Sequence, residues 1–120
     1  MALNIVGGSV SPSTALSLNA QTGTTYTFVL TDANNTLVTA SNASAQTYTI
    51  PPNSSVAYPV GSQLNIIQIG AGQVSFAQGS GVTIASNGAT STAPKLRVQY
   101  SSATAIKVDT DKWYVVGDIA

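Results

Sequence analysis

The sequence of 120 residues contains no cysteine, no histidine and no glutamate. Without cysteine there is neither a disulfide framework nor a thiolate nucleophile, and without histidine there is no Ser-His-Asp triad and no imidazole metal ligand. Charged residues make up 7% of the chain and cancel to zero: Asp32, Asp109, Asp111 and Asp118 against Lys95, Arg97, Lys107 and Lys112. Such a chain has no field that attracts nucleic acid or an anionic membrane, so we expect neither as a partner.

The N-terminus also lacks a targeting signal, because no basic segment is followed by an apolar one, and no run approaches the roughly 20 apolar residues of a membrane span. We therefore expect a soluble protein made in the cytoplasm. A surface with so little charge gives little repulsion between molecules. The composition thus favours a protein that assembles with copies of itself or with another protein.

The length predicts a single domain, and a hydrophobic content of 43% is enough to fill one core. Residues 1–20 differ from the rest because small residues dominate them. We interpret this part as an N-terminal arm or edge strand and residues 21–120 as one β domain. Leu3, Ile5, Val6 and Pro12 are the candidate attachment residues of the arm.

Alternation of apolar and polar residues with a period of two recurs along the β domain and predicts strands. Helical periodicity is absent, and good helix formers are scarce. About ten short strands are predicted, at 15–18, 25–30, 36–40, 47–50, 63–69, 74–76, 82–84, 95–100, 104–108 and 112–116. Short strands separated by regular turns favour an all-β fold, namely an antiparallel β-sandwich of jelly-roll type or a small barrel.

The segment "LNIIQIGAGQVSF" begins like a dinucleotide-binding loop, but it lacks the rest of that motif. The third glycine of the fingerprint is replaced by Ser75, the following residues alternate as a strand, and no carboxylate stands about 20 residues further on. We interpret Gly70 and Gly72 as the positive-φ residues of a hairpin, with a second turn at "QGSG" (78–81). No cofactor is predicted.

The remaining candidates for a metal site or a catalytic pair are better explained as ordinary surface residues. Asp109 and Asp111 are spaced like a carboxylate pair, but two carboxylates without a loop pattern predict a polar turn rather than a metal site. A Ser-Lys pair would need a buried lysine, and all three lysines fall in polar turns or on solvent-facing strand positions. We therefore predict no metal site and no enzymatic activity.

Aromatic residues leave a binding role open. Tyr58, Trp113 and Tyr114 are candidates for stacking on a glycan or for an interface, since aromatic faces pack against sugar rings. Tyr26, Tyr48 and Tyr100 alternate in phase with apolar residues and are interpreted as core. Trp113 and Tyr114 are adjacent on a strand, so one is expected in the core and the other at the surface.

The run "SNASAQTYTIPPNSSVAYPVGSQLNIIQIGAGQVSFAQGSGVTI" and the ending with "ATAIKV" and "KWYVVGD" resemble a module at the ends of tailed-bacteriophage structural proteins, especially tail-fibre-like ones. The resemblance covers roughly residue 22 to the C-terminus. It implies a β-rich component of a virion, made in the host cytoplasm. Because only about twenty residues precede the module here, without a fibre stalk, the expected role is a capsid decoration or cement protein.

The resemblance also sets the expected partners. They are copies of the chain itself, with a homotrimer favoured by analogy and symmetry, and the major capsid protein or other virion proteins. The alternative is a tail-fibre or tail-tip module that binds a glycan receptor on the host surface.

Overall fold

The computed structural model describes residues 15–120, so the arm candidates Leu3, Ile5, Val6 and Pro12 lie outside the described residues. The described chain is all-β, as predicted: it forms nine strands and one 3-10 helix, Leu30–Ala33, without an α-helix. The strands are β1 Ser17–Gln21, β2 Thr25–Thr27, β3 Thr36–Ala40, β4 Gln46–Ile50, β5 Gln63–Gln68, β6 Val74–Gln78, β7 Thr83–Ala85, β8 Ser102–Asp109 and β9 Lys112–Gly117.

The strands form two sheets, and the first six strands alternate between them. The large sheet has the order β1-β3-β5-β8-β9-β7, and the small sheet has the order β2-β4-β6. The chain therefore winds through three successive rungs: the first rung is β1 and β2, the second is β3 and β4, and the third is β5 and β6. The hairpin of β8 and β9 then extends the large sheet beyond β5.

The predicted antiparallel pairing is wrong for most of the fold, because five of the seven strand pairs are parallel. Parallel neighbours need a connection that returns the chain to the same end of the sheet. In the four parallel pairs formed by β1 to β6, each return runs through the opposite sheet, so a connection that contains a strand takes the place usually taken by a helix. The fifth pair, β7 with β9, is connected by a segment that contains β8 of the same sheet. Alternation along one strand carries no information about the direction of its neighbour.

Register between the rungs places similar side chains next to one another. Tyr26 aligns with Tyr48, and Tyr48 with Phe76. Phe28 also contacts this column, with ring centroids 5.8 Å from Tyr48 and 6.4 Å from Phe76. The side chains of both sheets belong to one buried core, which extends to Trp113 and Val115 of the hairpin.

The segment 95–100 is not a strand, although its sequence alternates. Lys95 and Leu96 form isolated bridges, and the chain then turns, with Tyr100 at a φ of 70°. The segment first borders the edge of β6, where the Leu96 amide donates to the Val74 carbonyl oxygen, and then crosses to the large sheet. Leu96 is buried, but Val98 and Tyr100 are exposed, so the prediction that Tyr100 belongs to the core is wrong.

Gly70 and Gly72 serve a different purpose from the predicted hairpin. They lie between β5 and β6, which belong to different sheets, and the positive-φ glycines of the described chain are Gly61, Gly81 and Gly117. A Cβ atom on Gly72 would overlap the carbonyl group of Ser44 in the rung below. Glycine is needed at this corner because two backbones approach closely there. The turn predicted at 78–81 does contain a positive-φ glycine, Gly81.

Candidate interaction surface

The outward face of the large sheet is more apolar than a solvent-exposed sheet face requires. We define the outer face by its larger apolar side chains: Leu18, Leu37, Ile67, Ile106, Val108, Tyr114 and Val116. Among them Leu18 is 71%, Val116 50% and Tyr114 44% exposed. Monomeric proteins tolerate scattered apolar residues at the surface, but a contiguous apolar area usually indicates an interaction site.

Strand β8 contributes to the outer face in an unusual way. Its inward positions hold Ala103, Ala105 and Lys107, whereas Ile106 and Val108 point outward. A strand that only had to fill the core would place its larger aliphatic side chains inward. The orientation of β8 therefore places apolar side chains at the surface, where they form part of a candidate interaction surface.

Few charges interrupt the outer face. The exposed charges on the strands of the large sheet are Asp109 and Lys112, which face each other beside the turn between β8 and β9. The Lys112 ammonium lies 5.7 Å from the centroid of the Tyr114 ring. Protein interfaces are depleted in charge at their centres, because an unpaired ion is costly to desolvate. The charges of the outer face lie at one end in this way, while the uncharged Asn65 and Thr104, which are hydrogen-bonded to each other, lie between Leu37 and Val116.

A shallow depression of about 420 Å³ adjoins Tyr114 at the edge of the outer face. It is lined by residues 85–87 of β7 and its following loop and by residues 114–117 of β9. Tyr114 thus lines the same depression as the polar residues Ser86 and Asn87. An aromatic face next to small polar groups is suited to a sugar ring.

Of the three aromatic residues predicted for binding, the structure leaves only Tyr114 at the surface. Trp113 and Tyr58 are buried and meet edge to face, with ring centroids 5.3 Å apart. The Tyr58 hydroxyl donates to the Val29 carbonyl oxygen, and burial raises the pKa of Tyr58. The prediction that Trp113 and Tyr114 point to opposite sides of their strand is confirmed.

A buried carboxylate at the first rung was not identified from the sequence. Asp32 Oδ1 accepts a hydrogen bond from Asn19 Nδ2 at 2.9 Å, while Oδ2 accepts from the Tyr26 hydroxyl at 2.7 Å and the Val29 amide at 2.9 Å. Burial, followed by the contact with Asp32, raises the pKa of Tyr26. The run "TDANN" has the composition of a turn, so only the tertiary structure reveals that its aspartate is buried.

Lys107 corrects the expectation that every lysine faces solvent. Its side chain is 2% exposed, and Nζ donates to Asn53 Oδ1 and to the Tyr58 carbonyl oxygen. These acceptors are an amide and a main-chain group, and no serine or threonine hydroxyl is bonded to Nζ within residues 15–120.

Asp109 and Asp111 flank the turn between β8 and β9, where the sequence predicted a polar turn. Asp109 Oδ1 accepts the Thr110 amide, and Asp111 Oδ1 accepts the Asn53 amide at 2.7 Å. Among residues 15–120 no three carboxylates come together as metal ligands. The same part of the chain has no helix with the length and apolar character needed to cross a membrane.

Comparison with known proteins adds no relative: no family model matches the chain, and neither a curated protein nor a solved structure is significantly similar to it.

Proposed function

We propose that the chain is a structural protein of a bacteriophage virion and acts as a capsid decoration or cement protein through protein–protein contacts. The observation that carries this proposal is the outer face, a sheet surface with few charges whose larger apolar side chains are partly or fully exposed in the single chain. The resemblance of residues 22–120 to a module of phage structural proteins supplies the biological setting. Major capsid protein, or another protein of the particle, is the proposed partner.

Such a protein works through area rather than chemistry. A specific contact buries roughly 1,200–2,000 Å² in total, and many modest contacts across a symmetric shell add up to a large resistance to disruption. The fold is suited to this role because the strands of the outer face pack with the small sheet on one buried core.

Self-assembly, with a trimer favoured, is part of the proposal. In the described chain β1 and β7 are the end strands of the large sheet and β2 is an end strand of the small one. The five residues of β1 have an unpaired edge among residues 15–120, and an unpaired edge readily accepts a strand from another chain. The residues preceding β1 include the proposed attachment arm.

The number of copies per particle in purified virions tests the main proposal. Hundreds of copies support decoration of the capsid, whereas a handful of copies would contradict it and favour a tail position. Removal of residues 1–12 is a separate test of the arm, since particle binding as tight as that of the full chain would exclude an attachment role.

Substitutions on the outer face test which surface makes the contact. Leu18→Asp and Val116→Asp place a charge among apolar groups, and we expect each to weaken binding to undecorated particles at least about tenfold. Thr47→Asp is the control, because Thr47 is exposed on β4 of the opposite, small sheet. Equal binding by all three variants would show that another surface is used.

The alternative function is a tail-fibre or tail-tip module that binds a host-surface glycan. Tyr114 and its adjoining depression favour it specifically. Tyr114→Ala should then abolish binding to host cells or to isolated surface glycan without lowering stability, because the ring is half exposed. Trp113→Ala is unsuitable as a test, since loss of this buried ring should cost about 3–5 kcal/mol of folding stability.

A further inference from the structure

Lys107 is joined to a distant part of the chain by its side-chain nitrogen. It lies on the inward face of β8, and Nζ is 2.7 Å from both Asn53 Oδ1 and the Tyr58 carbonyl oxygen. Asn53 is 54 positions earlier, in the loop that follows β4. A hydrogen bond from Nζ to Oδ1 also brings the lysine nitrogen next to Cγ of the same amide.

The charge of Lys107 is not matched by a carboxylate. Within residues 15–120 no carboxylate oxygen lies within 4.0 Å of its Nζ, and the ion pair in this range joins Arg97 to Asp118. A buried ammonium that has only neutral acceptors pays a large desolvation penalty. Any reaction that converts this nitrogen to a neutral amide would remove the penalty.

The surroundings hold the two groups together and limit access of water. Trp113 is the register neighbour of Lys107 on β9, and Tyr58 packs edge to face on Trp113. Both aromatic side chains are buried. On the other side, Asp111 Oδ1 accepts the main-chain N–H of Asn53 at 2.7 Å. Asp111 is thus a positioning residue that fixes the backbone of Asn53 relative to the β8–β9 hairpin.

We infer that Lys107 and Asn53 form an intramolecular isopeptide bond. The lysine nitrogen, after release of its proton, attacks Asn53 Cγ; the new Nζ–Cγ bond forms, and the Cγ–Nδ2 bond breaks. In balance, one ammonium group and one primary amide give one secondary amide and one ammonium ion, which leaves with the former side-chain nitrogen of Asn53. No oxidant, reductant or further reactant is consumed.

Mass spectrometry of the intact, folded, full-length chain tests the inference. We expect a mass about 17 Da below that of the sequence, which corresponds to the loss of one ammonia. Trypsin should no longer cut after Lys107, and it should release residues 1–95 covalently linked to residues 98–112. A mass equal to that of the sequence after prolonged incubation of the folded protein would overturn the inference.

Control variants distinguish formation of this bond from other reactions that release ammonia. Cyclisation of Asn53 on its own backbone removes the same mass, but it would persist in Lys107→Met, whereas the isopeptide bond requires both residues. Asn53→Ala should also keep its full mass. This variant serves as the test if Lys107→Met does not fold, because Asn53 lies in the loop after β4 and not in the core. Lys112→Met and Asn87→Ala, both at exposed positions, should retain the loss. Persistence of the loss in Lys107→Met would refute the proposed bond.

The positioning role of Asp111 has its own readout. Asp111→Ala should lower the cross-linked fraction at a fixed time after refolding, and Asp111→Asn should restore it, because an amide oxygen can still accept the Asn53 N–H. An unchanged cross-linked fraction in Asp111→Ala would remove Asp111 from the mechanism.

Discussion

The first and second rungs share one backbone geometry but have different interiors. Asn19 aligns with Val38, and Gln21 aligns with Ala40. In the first rung the inward amides bond to one another and to Asp32, with Gln21 Nε2 donating to Asn19 Oδ1 at 2.8 Å. In the second rung the same positions are apolar and fully buried.

Position in the stack explains this difference. The second rung lies between two others, and its interior is closed to water and largely apolar, with Gln46 and the Tyr48 hydroxyl as buried polar groups. The first rung is the end of the stack within the described residues, and its amides and carboxylate form a polar end. Terminal units of stacked folds commonly carry such polar groups. Neighbouring strands of one sheet can therefore carry inward residues of different polarity.

The corners of the rungs differ in the same way. Gly23, in the corner of the first rung, has room for a side chain, since an added Cβ would lie 3.6 Å from its nearest neighbour, the Thr25 carbonyl oxygen. Gly72, in the corner of the third rung, lies directly on the second, and its amide donates to the Asn42 carbonyl oxygen at 2.8 Å. The two glycines therefore occupy equivalent corners, but only Gly23 has room for a Cβ atom.

The largest effect is expected for Gly72→Ala. Its methyl group would overlap the Ser44 carbonyl group, so the second and third rungs would have to separate. We expect destabilisation above about 3 kcal/mol, the upper end for an overpacked core, as measured by denaturant unfolding. Gly23→Ala is the matched control and should stay within about 0.5 kcal/mol of the wild type. Similar values for both variants would contradict the close stacking of the corners.

A smaller but still large effect is expected for Val38→Asn, which places the first-rung residue into the second rung. The new amide would be buried without the Asp32 and Tyr26 partners that Asn19 has, and we expect a loss of about 3 kcal/mol. Thr39→Asn, on the opposite face of the same strand, should cost less than about 1 kcal/mol. A tolerated Val38→Asn would show that the second rung admits water.

Period-two alternation predicted the strands well but not their arrangement. The segment 36–40 is predicted with the observed bounds, and 112–116 differs by one residue, because both segments are rich in β-branched or aromatic residues and are bounded by turn residues. The pairing of these strands depends on the path of the chain through the opposite sheet, which periodicity does not encode.

The faces of β8 show why the site was harder to predict than the fold. In "TAIKV" the larger aliphatic residues Ile106 and Val108 alternate against Ala105 and Lys107, so hydrophobicity alone assigns Lys107 to solvent. The structure reverses this assignment, which buries the lysine and exposes the aliphatic side chains. Both the outer face and the contact with Asn53 follow from that reversal, and neither could be read from the residues without the sheet.

Removal of the hydroxyl group should change stability in opposite directions at the aligned residues Tyr26 and Tyr48. The Tyr26 hydroxyl bonds to Asp32 and accepts from Asn19 Nδ2, whereas the buried Tyr48 hydroxyl has no hydrogen-bond partner within residues 15–120. Tyr26→Phe should therefore cost about 1–2 kcal/mol, while Tyr48→Phe should be neutral or stabilise by up to about 1 kcal/mol, both by denaturant unfolding. A clear loss of stability in Tyr48→Phe would indicate that a partner for its hydroxyl exists.

The pH dependence of the free energy of unfolding should differ slightly between the wild type and Tyr48→Phe. Burial raises the pKa of Tyr48 from its ordinary value of 10.0 to about 12. The folded chain then keeps a proton that the unfolded chain releases, so this stabilising contribution is complete below pH 10 and is lost as the pH rises toward 12. Between pH 9 and pH 11 the wild type should lose about 1 kcal/mol more than Tyr48→Phe. Denaturant titrations of both proteins at the two pH values measure this difference, which isolates Tyr48 because every other titrating group is common to both. Parallel losses would mean that the Tyr48 hydroxyl titrates as it does in water, and the second rung would then be less tightly closed than its burial indicates.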